Sequence, residues 1–210
     1  MKLAVIGSGN IGKSIGSWAA KVGYEVIFSA KNEANAAAAA LAAGNGATSA
    51  SPAKAVKSAD LVLYAAPYGG AQDILSELKS ALKGKVLIDA SNPLAADFSG
   101  LTVGFTSSAA EEIAKLVPGT KVVKAFNTVF AKVYDSQNPE ISGKKISVFY
   151  AGDDENAKKT VAELISKMGF DAVNSGPLAS ARNIEPLAML NIALGYGLGY
   201  GTSVGFSFNR

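Results

Sequence analysis

The chain has 210 residues, 49% of them hydrophobic and 18% charged, with a formal net charge of +3, no cysteine and no histidine. That length buries one sizeable core with a small appendage, and the two missing residue types exclude disulfides, a thiolate nucleophile, a thiolate metal site and the commonest general acid/base. No apolar run reaches the length of a membrane span and the basic residues are scattered, so a cytoplasmic protein with neither membrane nor nucleic-acid partner and no metal is expected, its proton transfers left to Tyr, Lys, Asp and Glu.

KLAVI (2–6) is a continuous apolar run that predicts a strand, and after a glycine turn Ile11, Ile15, Trp18 and Val22 recur at helical spacing up to Gly23. YEVIF (24–28) predicts the second strand, and Asn32 or Asn35 caps an alanine-rich helix ending at Gly44. Ser51 and Pro52 read as the cap and first position of a third helix, and DLVLYAA (60–66) as a buried strand ending at Pro67. AQDILSELKSAL (71–82) carries Ile74, Leu75, Leu78 and Leu82 on one face, and KVLIDAS (85–91) is the next strand. Alternation continues through SSAAEEIAKLV, KVVKAFN, KISVFYAG, ENAKKTVAELISKMG and FDAVNSG. It predicts an α/β fold, a Rossmann-type doubly wound parallel sheet with helices on both faces. The last segment, PLASARNIEPLAMLNIALGYG (177–197), reads as a helix interrupted near Pro186, followed by a glycine-rich tail. Residues 1–175 are thus expected to form a nucleotide-binding domain, with 176–210 a small C-terminal helical segment of the same compact unit.

GSGNIG (7–12) matches G-x-G-x-x-G between a predicted strand and a predicted helix. Gly7 would make the tight turn, Gly9 would let pyrophosphate approach the backbone, and Gly12 would let helix and strand pack closely. About twenty residues on, a chain that binds NAD carries an acid for the ribose hydroxyls. FSAKN (28–32) offers Ser29, Lys31 and Asn32, with Asn35 beyond, which favours the 2′-phosphate of NADP. Lysine is a point charge without a planar fork, so that preference is expected to be modest.

Ligands of open parallel sheets bind at the carboxyl ends of the strands. Those ends read AAPYGG (65–70), DASNPL (89–94) and KAFNTV (124–129). Ala66 and Pro67 suit an apolar wall beside the nicotinamide, and Asn92 and Asn127 suit hydrogen bonds to its carboxamide or to a substrate carbonyl, where turn formation is the alternative role of an asparagine.

GSGNIG, FSAKN, YAAPYGG, DASNPL, KAFNT, YAGDDENAKKTV and GPLASARNIEPLAML together resemble the NADP oxidoreductase family that includes the NADPH-dependent reductases of the deazaflavin coenzyme F420. They are also similar to the cytoplasmic nucleotide-binding domain of the STEAP-type six-transmembrane metalloreductases. The resemblance implies that Ser8, Gly9, Asn10 and Ile11 bind pyrophosphate and that Ala30, Lys31 and Asn35 form the 2′-phosphate pocket. It further implies that Ala66, Pro67, Asn92, Pro93, Ala125, Phe126 and Asn127 flank the nicotinamide end. Ala30 and Lys31 stand where the F420 enzymes tend to carry a Ser-Arg pair.

Hydride transfer between two stacked rings asks mainly for orientation, which a protein without histidine can provide. Candidates facing the acceptor are Tyr68, Phe126, Asn127, Arg182, Tyr196 and the tail from Gly199, with Asn127 and Tyr68 the candidate catalytic residues; Arg182 and Glu185 have an alternative role as a surface ion pair. The expected activity is that of an NADP-dependent oxidoreductase whose small-molecule acceptor is coenzyme F420 or a flavin (FMN or FAD). The alternatives are reduction of a small carbonyl, imine or quinone with a tyrosine as proton donor, and an NADPH-sensing module without turnover. A homodimer is expected from the apolar last helix and the Gly/Tyr/Phe tail.

Overall fold

Apolar runs with no polar face are stable as strands only when helices cover both sides of the sheet they form. The computed structural model describes residues 1–210 and contains such a sheet, eight strands wide. Its first half comprises β1 (Lys2–Ile6), α1 (Asn10–Lys21), β2 (Glu25–Ser29), α2 (Glu33–Ala43), a short β3 (Thr48–Ser49), α3 (Pro52–Ser58), β4 (Leu61–Tyr64), α4 (Ala71–Leu82) and β5 (Val86–Asp89). An irregular segment then leads to α5 (Ala109–Leu116), β6 (Lys121–Lys124), α6 (Ala131–Ser136) and a small hairpin, β7 (Glu140–Ile141) with β8 (Lys144–Lys145). The chain closes with β9 (Ser147–Gly152), α7 (Glu155–Lys167), β10 (Asp171–Asn174) and α8 (Ala181–Ile192), which runs into one π turn, Ala193–Gly197.

Side by side the strands run β3-β2-β1-β4-β5-β6-β9-β10. The order departs in opposite directions from β1, which opens a crevice at the carboxyl ends of β1 and β4. Strands β3 to β6 are all parallel. The sheet is not parallel throughout, however, because β9 pairs antiparallel with β6, and β10 then follows β9 in parallel. Between β6 and β9 the only helix is the six-residue α6. It rises about 9 Å, too little to carry the chain back along the sheet as a parallel crossover requires.

One face of the sheet packs against α1, α2 and α7 through Ile15, Trp18, Ala36, Ala39, Val161 and Leu164. The other packs against α3, α4 and α5 through Val56, Leu75, Leu78, Leu82 and Ile113. The alanine run is an ordered helix because its small residues allow close approach to α1, and Asn32 is its cap, Oδ1 accepting from Ala34 N at 2.9 Å.

Helix α8 passes through Pro186 without interruption, contrary to the sequence expectation. Pro186 lies on the exposed face, while Ala181, Ile184, Glu185 and Ala188 are buried and hold the helix in place. A proline inside a helix costs about 3 kcal/mol, which that anchoring offsets. The tail returns to the sheet: Ser147 N donates to Phe206 O (2.8 Å), Phe208 N donates to Ser147 Oγ (2.9 Å), and Arg210 pairs with Asp171. No helix is long and apolar enough to cross a membrane.

Candidate functional site

The first part of the site is the turn between β1 and α1. Gly7 has φ +104°, and a Cβ there would stand 2.7 Å from Ala66 N. A Cβ on Gly12 would stand 1.9 Å from the carbonyl oxygen of Gly7, so helix and turn meet only because both residues are glycine. Gly9 differs from both: nothing lies within 4 Å of where its Cβ would be. Its Cα faces open space at the N-terminus of a twelve-residue helix that has no side-chain cap and no acid in its first turn. Such an end presents N–H groups and a partial positive charge to an anion. Asn10 is exposed beside it, and Ile11 packs onto the core.

The turn is tied to β2 by Gly7 N donating to Ser29 O (2.9 Å) and by Ser8 Oγ donating to the same carbonyl (3.3 Å). Next to it is an open recess of about 740 Å³ lined by Ser8, Gly9, Ala30, Lys31, Asn32, Glu33 and Asn35. Ser29 is not among its walls. Its side chain is fully buried with no hydrogen-bond partner, so this residue reaches the turn through its carbonyl alone. Glu33, unremarked in the sequence, shares the recess with Lys31 and sets a carboxylate near the one cation there.

A second cavity of about 870 Å³ adjoins the first, sharing Ala30 and Lys31, and is lined also by Ile6, Gly7, Pro52, Ala66, Pro67 and Ile74. Ala66 and Pro67 therefore line the same cavity as Lys31, whereas Asn92 and Asn127 line neither cavity.

The two asparagines come together at the ends of β5 and β6. Asn127 Nδ2 donates to Asn92 Oδ1 (2.9 Å), and Asn92 Nδ2 donates to the backbone carbonyl of Asn127 (3.1 Å). Pro93 is buried, its carbonyl accepting from Thr102 N (2.7 Å). Ala125 and Phe126 are buried too, and Phe126 turns the chain in the left-handed region (φ +69°). Such a conformation costs energy in a non-glycine residue. Here Tyr134 Oη holds it by donating to Phe126 O (2.9 Å). The Phe126 ring packs edge-on against Tyr134 in the core, so it does not face an acceptor.

Beneath the asparagines is a buried charge network that the sequence did not disclose. Lys124, the last residue of β6, is 0% exposed and lies 2.8 Å from Asp89 and 3.0 Å from Glu185, which are 0% and 1% exposed. Its ammonium also donates to Ser91 O at 2.5 Å, so all three protons are placed. Asp89 accepts from Ser91 N and Oγ, and Glu185 accepts from Ala109 N (2.9 Å) and Ala110 N (3.2 Å) at the start of α5. Burial pushes the Glu185 carboxyl above its usual range, against the pull of Lys124. Burial acts to lower the Lys124 ammonium, but Asp89 and Glu185 together raise it above the ordinary value.

These contacts correct the sequence reading of α8. Arg182 does not pair with Glu185; its guanidinium makes a bidentate contact with Glu111 through Nε and Nη2 (2.9 and 2.7 Å). Tyr196 is exposed and packs against Phe130. Tyr68 is half-buried, and burial together with the nearby charges of Glu112, Glu185 and Asp89 raises its phenol, which stays protonated at neutral pH.

A protein family described as NADP oxidoreductase, coenzyme F420-dependent, matches residues 2–93. The F420-dependent NADP reductase of Methanothermobacter marburgensis is 32% identical over 213 positions, covering 92% of each chain. The metalloreductase STEAP3 of Rattus norvegicus is 31% identical over 191 residues; this is 90% of the present chain but 37% of that protein, so the chain spans little more than a third of its length. A crystal structure from Arthrobacter sp. FB24, provisionally described as an F420-dependent NADP reductase, superposes with a TM-score of 0.87 at 28% identity over the whole of both chains.

Proposed function

The chain belongs to the coenzyme F420-dependent NADP oxidoreductase family, and on that premise we propose that it passes a hydride between NADP(H) and a planar deazaflavin, coenzyme F420. The observation that carries the reading is the recess at the end of β2. It has a lysine and asparagines but no strand-end carboxylate, and it opens beside the N-terminus of α1, which no side chain caps. A 2′-phosphate and a diphosphate are the groups such a pair of neighbours suits, and the bare Cα of Gly9 leaves the backbone free to be approached.

NADPH, when bound, supplies the hydride. The diphosphate is held by the α1 amides from Gly9 to Ile11, and the 2′-phosphate by Lys31 with Asn32 Nδ2 and Asn35. Ala66 and Pro67 wall the cavity that leads from Lys31 toward the nicotinamide end, which Asn92 and Asn127 hold. Glu33 tempers the charge of the phosphate pocket, which supports a modest preference for NADP over NAD. The acceptor ring is received on the side of residues 176–210. The exposed Leu190, Tyr196, Leu198 and Tyr200 support a homodimer built on that side, and a monomer in sedimentation would exclude it.

A second reading has an observation in its favour. The protonated, half-buried Tyr68 is suited to give a proton to a small carbonyl, imine or quinone. Mixing the protein and NADPH with F420, FMN, FAD, menadione and a cyclic imine, and following the reduced-nicotinamide absorbance, separates the readings. Turnover with F420 is the expected result. Turnover confined to the imine or quinone favours the Tyr68 reading, and tight NADPH binding with no turnover favours an NADPH sensor.

A further inference from the structure

Two buried carboxylates and an ammonium are an expensive way to fill a core, since apolar residues of the same volume are often equal or better for stability. The network around Lys124 therefore invites a question about what its contacts hold in place. One route runs from Lys124 through Ser91 O to the next residue, Asn92, and from the Asn92 side chain to Asn127. The other runs from Glu185 to its neighbour Ile184, whose carbonyl is 3.5 Å from Asn127 Nδ2. Both routes end on one amide group.

The orientation of that amide is fixed by two groups that can only accept. Asn92 must direct its NH₂ at the backbone carbonyl of Asn127, which leaves its Oδ1 to accept. Asn127 must then direct its own NH₂ at Asn92 Oδ1 and Ile184 O; turning it over would set oxygen against oxygen twice. Asn127 is only 8% exposed, and its Oδ1 is buried without a donor. A buried acceptor left unpaired costs about as much as a lost hydrogen bond, so a ligand donor that reached this oxygen, by displacing the groups that now cover it, would recover that cost.

We infer that Lys124 and Glu185 are positioning residues: they hold Asn92 and Ile184 so that Asn127 presents a lone oxygen acceptor, selecting a primary carboxamide N–H at the nicotinamide end. This rests on the proposal that the chain binds NADP(H). It names a ligand chemistry that the fold alone does not, because a carboxylate or a methyl ketone in place of the carboxamide has no N–H to offer.

The test uses binding alone. Dissociation constants are measured by calorimetry for adenosine 2′,5′-bisphosphate, which carries only the adenosine half, for NADP⁺, and for its 3-acetylpyridine analogue, in which a methyl replaces the amide nitrogen. The wild type is expected to favour NADP⁺ over the analogue by roughly tenfold or more. Glu185→Gln keeps the Oε1 contacts with Lys124 and Ala110 but turns an amide NH₂ toward Ala109 N–H. It is expected to cut that ratio to less than half, with the bisphosphate constant unchanged within about twofold, and Glu185→Ala to cut it further. A wild-type ratio near one overturns the inference, as does a wild-type ratio retained in Glu185→Gln, or equal losses for NADP⁺ and the bisphosphate, the mark of a merely structural role. If Glu185→Ala does not fold, Glu185→Gln decides alone. Failure of the wild type to bind either NADP⁺ or the bisphosphate would instead remove the NADP reading itself.

Discussion

At the ends of β1 and β2 the protein offers backbone amides and exposed side chains around open recesses, whereas at the ends of β5 and β6 it offers side chains locked above a buried ion network. Apart from the tightly packed Gly7 and Gly12 and the buried Ser29, the first region can be altered with little effect on the core, because its side chains already face water. In the second region the charged groups and the asparagine amides are tied to buried partners, with Asn127 Oδ1 left unpaired, so a substitution there also disturbs the core. On the proposed function, the same division would separate affinity for the adenosine half of a dinucleotide from control over its reactive end.

The sharpest way to break this comparison is Lys124→Met, which leaves the carboxylates of Asp89 and Glu185 together without their cation. Uncompensated buried charge costs about 3–5 kcal/mol, so the denaturation midpoint should fall steeply. Stability within about 1 kcal/mol of the wild type in urea unfolding would mean that the network is not the keystone described.

Glycines in the first region sharpen the contrast. Gly9→Ala adds a methyl to open space at a cap position and should cost under about 1 kcal/mol of stability while weakening NADPH binding roughly tenfold. Gly12→Ala drives a methyl into the Gly7 carbonyl and should lower both stability and binding. Calorimetry beside thermal melts distinguishes them, and identical behaviour of the two variants would contradict the roles given.

How far the sequence disclosed each region follows from the reach of its contacts. The glycine turn was legible because the positive φ of Gly7 and the close meeting of Gly12 with the Gly7 carbonyl lie within six residues, whereas the approach of Ala66 to Gly7 crosses between the ends of β4 and β1 and was not legible. The recess at β2 was legible for a similar reason, although Ser29 proved to be buried and Glu33 escaped notice. In the second region Glu185 meets Ala109 across 76 positions and Lys124 meets Asp89 across 35, separations that no periodicity encodes. Nothing in the sequence singled out Lys124, and Glu185 had only the alternative role of a surface partner of Arg182, since a charged side chain announces burial only once its partner is known. Sheet polarity was hidden likewise: nothing in KISVFYAG says that β9 runs against β6.

Smaller effects probe the proposed phosphate pocket. Lys31→Glu should shift the NADP/NAD affinity ratio roughly tenfold toward NAD, with stability changed by less than about 0.5 kcal/mol. An unaltered ratio would make the recess a mere strand end. Glu33→Gln should improve NADP affinity only about twofold at low salt, a gain that vanishes as salt screens the pair.

The central claim, direct hydride transfer from NADP(H), is tested by mixing the protein with F420 and NADPH deuterated at the transferred C4 position, then examining the reduced deazaflavin by mass spectrometry. The account predicts deuterium carried into the acceptor ring. A product without the label, or no product while NADPH binds tightly, would contradict it.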